Sequence, residues 1–283
     1  MAIKIITDSA CDITKDMESK YNVEIIPLQV EIEGTLYKDR EEIEPLAVYE
    51  KMRAGAAPKT SLVVSDRLMD SFVSHAKAGD EVIYISFSSA LSGSYNLVKL
   101  TADDVCLEYP DFKIEVIDSK CASFGQGMVV LFAMQALENG MGYDALVEKI
   151  RLWSDNMEHI FTVDDLEYLY RGGRVSKTSK VLGGLLGIKP VLHVSDEGKL
   201  VPLEKCRGIK KTLTRMVDMM GEINPNVGSE VVGIIHADSA EVAEEVRNMV
   251  VEKYGCNDIL MSELGAVIGA HAGPGTIAIF FLS

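Results

Sequence analysis

Three short apolar segments in the first half of the chain are each followed by a polar loop and then a helical pattern. That rhythm limits the possible folds more than any other feature. Ile3-Lys4-Ile5-Ile6 leads into Thr7-Asp8-Ser9-Ala10-Cys11-Asp12, Glu81 to Ser86 into Phe87-Ser88-Ser89-Ala90-Leu91-Ser92-Gly93, and Ile114 to Ile117 into Asp118-Ser119-Lys120-Cys121-Ala122-Ser123. Strands alternating with helices imply right-handed crossovers and a parallel sheet. Every such loop lies at the carboxyl end of its strand, where open α/β sheets bind ligands. On this reading Ser9, Ser89, Ser92 and Ser119 are candidates to converge on one place.

The intervening segments fit the same frame. Thr14 or Asp12 is expected to cap a helix from Lys15, and Val23 to Pro27 is a further strand. Leu28 to Asp39 alternates as a hairpin turning near Glu33-Gly34, and Glu44 to Ala54 is helical. Pro58-Lys59-Thr60-Ser61 reads as a loop, and Ser65 or Asp66 as the cap of a helix to about Lys77. Helices then cover about 124–139 and 143–156. Beyond residue 156 the rhythm changes. His159 to Val163, a short helix from Asp164, and the turn Arg171-Gly172-Gly173-Arg174 precede a helix capped by Ser176. A hairpin over Lys189–Lys205, two helix–strand units and a last strand follow. The chain has 283 residues, enough for two ordinary domains. The expectation is an α/β protein with a parallel-sheet domain over 1–156 and a mixed-sheet domain over 157–283.

Composition removes several functions. The formal net charge of -15 disfavours nucleic acid and anionic membrane surfaces as partners. Any anion must therefore be held in a local pocket. Five cysteines, without a C-x-x-C pair or a signal peptide, suggest reduced thiols in a cytoplasmic protein. Gly265 to Leu282 is long and uncharged, but its glycines, Pro274 and His271 favour strand–turn–strand over a membrane span. No cluster has metal-ligand spacing, and no phosphate-binding glycine loop or nucleophile elbow is present.

What remains is a set of hydrogen-bond donors: the hydroxyls of Thr60, Ser61, Ser89 and Ser92, the arginines Arg171 and Arg174, and His271 in the glycine-rich stretch Gly269–Gly275. Such groups suit a carboxylate or a phosphate. The other histidines, His75, His159, His193 and His236, read as structural or surface residues. Leu182-Gly183-Gly184-Leu185-Leu186-Gly187-Ile188, next to the arginine turn, is either core or the wall of an apolar pocket. No nucleophile–base pair is evident, which favours binding over chemistry.

Taken in order, these pieces resemble the DegV family of fatty-acid-binding proteins. The likeness rests on Thr7-Asp8-Ser9 with Asp12, Ser88 through Tyr95, Val116-Ile117-Asp118-Ser119 and Gly125-Gln126-Gly127. It continues through Leu166-Glu167-Tyr168-Leu169, Gly172-Gly173-Arg174, Ile188-Lys189-Pro190, Arg207-Gly208 and Gly269 through Gly275. The resemblance implies two α/β domains with a long-chain fatty acid between them and no cofactor. It also implies a partner, the ATP-binding subunit of a fatty acid kinase, which phosphorylates the bound carboxylate for phospholipid synthesis. Carried over by position, Thr60 and Ser92 hold the carboxylate, Ser61 and Gly93 flank them, and Arg174 and His271 serve phosphoryl transfer. Four positions depart from the family pattern: Leu62 and Val63 after the Thr-Ser pair, Ser94, and Ala270. The competing readings are a stand-alone hydrolase or phosphotransferase using Ser92 or His271, and a lipid-responsive regulator.

Overall fold

In the computed structural model, which describes residues 2–176 and 187–283, the N-terminal half is built on a parallel sheet. Its strands are β1 (Ile3–Asp8), β2 (Glu24–Ile26), β6 (Glu81–Ser86) and β7 (Ile114–Asp118), in the order β2-β1-β6-β7. The chain leaves β1 for β2 on one side and returns to β6 on the other. The loops after β1 and β6 therefore part at the carboxyl ends, making a topological switch point. The strand ends there are clamped by side chains. Thr7 Oγ1 donates to the Ile85 carbonyl, and Asp8 accepts from the Ala10 and Phe87 amides. Gln126 donates to Thr7, Asp8 and Ile85 together. The Thr-Asp pair is thus fastened into the framework instead of facing a ligand.

Helices α1 (Lys15–Tyr21), α3 (Ser65–Ala78), α4 (Ser94–Glu108), α5 (Phe124–Glu138) and α6 (Tyr143–Asp155) flank this sheet. Thr14 caps α1 through its hydroxyl, as expected. Helix α3 departs from expectation: its N-cap is Val64, with no side-chain cap bond. A small antiparallel sheet, β4-β3-β5, joins β3 (Gln29–Ile32), β4 (Thr35–Lys38) and β5 (Lys59–Ser61). The β3–β4 hairpin turns at Glu33-Gly34, both with positive φ, the geometry that twists with the flanking strands. Residues 59–61, expected as loop, form β5 because β3 offers them an edge; Val30 pairs with Thr60. Three polar residues carry no period of their own, so register comes from the partner strand.

The C-terminal half holds a mixed sheet ordered β10-β9-β8-β13-β11-β12. Its strands are β8 (Met157–Thr162), β9 (Ile188–Val194), β10 (Leu200–Arg207), β11 (Val232–His236), β12 (Ile259–Glu263) and β13 (Ile277–Leu282). Only β11 and β12 pair in parallel. The short helix α7 (Leu166–Arg171) follows β8, and helices α8 (Ile209–Ile223) and α9 (Ala240–Tyr254) cover one face, burying Met216, Val217, Val246 and Val250 against Ile277, Ile279 and Phe281. The alternate residues of β13, Ala278 and Phe280, face the other way into the larger core shared with the N-terminal half. There the Phe124 ring of α5 meets Phe280 edge-on at 6.2 Å. The helix expected after Ser176, and most of the Leu182–Ile188 stretch, lie outside the described residues.

The stretch read as strand–turn–strand is a helix: α10 (Ala266–Ala272) follows Gly265 and precedes β13. Two contacts explain how so apolar and glycine-rich a segment stays helical. The Tyr49 ring, on α2 (Pro45–Arg53), lies so close to Gly269 that an added Cβ would sit 2.4 Å from its hydroxyl. Tyr49 Oη also donates to the Leu264 carbonyl at 2.6 Å. At the far end Gly273 takes φ +83°, and Thr276 Oγ1 donates to the Ala272 and Gly273 carbonyls, closing the helix. Among the described residues, no helix is long and apolar enough to cross a membrane.

Candidate binding site

The loops after β6 and β7, β5, α10 and one face of the mixed sheet enclose a largely apolar pocket. Its empty space, counted out through the mouth and into open solvent, is about 750 Å³. Four of the residues singled out in the sequence line it: Thr60, Ser92, Arg174 and His271. Ser61 and Gly93 are exposed neighbours and are not among the lining residues. Of the four serines expected to converge, only Ser92 lines the pocket. Ser9 accepts from the Leu28 amide, Ser89 donates to Asp118, and Ser119 donates to the Ser86 carbonyl. These three are turn and strand-end fasteners.

His271 stands in the last turn of α10, and its Nε2 lies 2.7 Å from Thr60 Oγ1. Its Nδ1 is sealed and has no hydrogen-bond partner. That atom presses against Gly172, where an added Cβ would lie 2.0 Å away. The Gly-Gly turn therefore has a steric reason to begin with glycine. Burial, with the Arg174 charge nearby, pushes the imidazole pKa down to about 4, so the ring is neutral at pH 7. A neutral ring with a bare Nδ1 and a bonded Nε2 is most simply the Nε2–H tautomer, donating to Thr60 and leaving the threonine proton to point into the pocket.

Arg174 extends from the same turn. Its Nε donates to the Leu91 carbonyl at 2.9 Å, and its Nη1 donates to the Gly172 carbonyl. Burial lowers its pKa, and no carboxylate partners it among the described residues. Ser92 Oγ donates to Ser94 Oγ at 3.0 Å and accepts from the Ser94 amide. Ser94 thus orients Ser92 from the first turn of α4. One end of the pocket therefore carries a guanidinium without a carboxylate partner among the described residues, two hydroxyls and a neutral imidazole. A half-buried cation without a counter-ion is costly unless an anion joins it.

Below this polar end the pocket follows the mixed sheet. Thr276, just before β13, and Ala278 and Phe280 of that strand line the pocket, and Phe161 and His159 of β8 pair with Ala278 and Phe280. His159, read from the sequence as structural or surface, is 2 % exposed and lines the pocket. Its only sequence signal is the run His159–Phe161–Val163, whose odd residues share one strand face; one polar member among apolar ones reads as incidental without the partner strand. Among the described residues, no group of three or more His, Cys, Asp or Glu could hold a metal ion.

Residues 2–283 match the sequence pattern of the DegV family, described as uncharacterised proteins. A DegV domain-containing protein of Clostridium perfringens is 39 % identical over 282 residues, covering 98 % of this chain and 96 % of the relative. A DegV family protein from Thermus thermophilus, whose solved structure is described as showing fatty acid binding, superposes with a TM-score of 0.91 at 30 % identity over 100 % of both chains. A stearic acid-binding protein from Eubacterium ventriosum reaches 0.92 at 28 % identity, over 100 % of this chain and 98 % of that one.

Proposed function

This chain belongs to the DegV family, and from that premise we propose that its pocket holds a long-chain fatty acid and presents the carboxylate to an ATP-binding kinase subunit. The observation that carries the reading is Arg174, a half-buried cation that no acid partners among the described residues, set over an apolar pocket. A fatty acid supplies the missing negative charge at one end and hydrocarbon at the other. Thr60 donates to the carboxylate, and the Ser92 hydroxyl turns from Ser94 to donate to it when the ligand is bound, while Ser61 and Gly93 shape the rim beside them. Arg174 and His271 act on the phosphoryl group during transfer. In this reading the chain divides near residue 156 and the ligand lies between the two parts.

Ser92 hands its proton to Ser94, and His271 pairs with Thr60. The hydrolase reading through a Ser92–His271 pair thus has no hydrogen bond to start from in this structure. The test is mass spectrometry of a solvent extract from purified protein. A fatty acid at near one-to-one ratio is expected. Repeated extraction of nothing, or of a nucleotide, overturns the proposal.

A further inference from the structure

We propose that His159 is the end wall of the acyl pocket and sets the longest tail the protein accepts. The inference rests on the fatty acid reading above and concerns the opposite end of the same site. Its basis is the pairing register of β8 and β13. On the face turned to the pocket the pairs run Ala278 with Phe161, then Phe280 with His159, then Leu282 with Met157. The first two pairs line the pocket, and the third does not. Along both strands the lining stops at the same level. From Ala278 to Phe280 the lining advances two residues along the strand, or roughly 7 Å.

His159 is held where a tail would meet it. Its Nδ1–H donates to the Met157 carbonyl at 2.9 Å, and its Nε2 accepts from the Ala122 amide at 3.2 Å. The ring meets Phe280 edge-on at 5.3 Å. Behind it stands Gly125, where an added Cβ would lie 2.3 Å from Nε2. The Ala122 amide belongs to the loop that comes down from β7, and Ala122 and Ser123 also line the pocket. Ser123 is itself fixed by donating to Asp12 at 2.6 Å. A leucine or methionine at position 159 yields by changing rotamer. An imidazole bonded on both nitrogens and backed by a helix does not. Burial also keeps it uncharged, so it does not repel hydrocarbon as a cation would.

The experiment is a titration of wild type, His159→Ala and Ala278→Leu with straight saturated fatty acids of increasing length. Folding is checked by circular dichroism. For wild type, affinity should rise about fourfold per added methylene, then turn over at one length. In His159→Ala the rise should continue by at least two further carbons. Ala278 lies one pair nearer the polar end, so Ala278→Leu should turn over at a shorter length. This second variant decides the matter if His159→Ala does not fold. An unchanged turnover length in the folded variants overturns the wall while leaving fatty acid binding intact. No binding of any length by wild type overturns the parent reading instead.

Discussion

At the scale of single residues, the pocket pairs few polar groups with defined protonation. In the proposed reading, Thr60→Ala and Ser92→Ala each remove a hydroxyl that would meet the charged carboxylate, a bond worth roughly 1.5–3 kcal/mol. Fatty acid affinity should fall by roughly 10- to 150-fold in each, by titration, without vanishing, because tail burial is untouched. Unchanged affinity in both removes them as head-group donors. The histidines make a separate prediction. His159 and His271 have pKa values near 4, below the ordinary 6.5, so the unfolded chain takes up their protons first as pH falls. Their contribution is complete above pH 6.5 and is lost between pH 6.5 and 4. Asp8 and Asp39, buried and raised to about 6, act in the opposite sense, gaining stability as pH falls through the same range. The net slope is thus a balance, and the difference between proteins is the clean quantity. Denaturant titrations of His159→Gln should show a pH slope altered by up to about 1.4 kcal/mol per unit in that window. Identical slopes would mean that His159 is not buried neutral. The sequence displayed Thr60, Ser92, Arg174 and His271 as donor types. It did not display that His159 joins them, because that depends on which strand lies alongside.

At the scale of elements, the parallel sheet was readable because each strand carried its own apolar run and its own polar loop. Two elements were not, and both build the site. β5 has no hydrophobic period, and the Val30–Thr60 pairing alone places Thr60 in the pocket wall. α10 is buried on nearly all sides, so its apolar run matches a core strand as well as a helix, and seven residues are too few to separate the two periods. What decides it is tertiary. Tyr49 covers Gly269 and holds the Leu264 carbonyl, and Tyr168 lies against Gly273. Tyr49→Phe keeps the ring and removes one hydrogen bond to a buried carbonyl. The expected cost is about 1–3 kcal/mol in urea unfolding. If that bond also sets the position of α10, fatty acid affinity should drop in the folded protein, since His271 rides on the same helix. A loss of stability with unaltered affinity would show that Tyr49 anchors the fold without positioning the site.

At the scale of the whole molecule, the pocket draws its walls from both halves of the chain, so a ligand there bonds to the native arrangement and not to the unfolded chain. Delipidated protein should therefore melt at a lower temperature than protein given excess fatty acid. The difference should grow with ligand concentration, reaching about 2.7 kcal/mol at a hundredfold excess over Kd. The proposed transfer can be separated from binding by mutation. Charge on a moving phosphoryl group is spread over its oxygens at the transition state, and donors that engage it then lower the barrier without tightening the ground state. Arg174 is already bonded to the Leu91 and Gly172 carbonyls. It is thus held in place before any phosphate arrives, as such a donor must be. Arg174→Ala and His271→Ala are expected to keep measurable fatty acid binding, yet lose acyl-phosphate formation with an ATP-binding subunit and Mg²⁺. His271 also fills the space beside Gly172 and bonds Thr60, so its removal has a structural cost that a thermal melt reads. His271→Gln, which keeps a donor near Thr60, should recover stability without recovering turnover. If a well-folded His271→Ala protein is phosphorylated at the wild-type rate, the histidine serves only to hold α10 and Thr60 in place, and the proposed phosphoryl contacts fall to Arg174 alone.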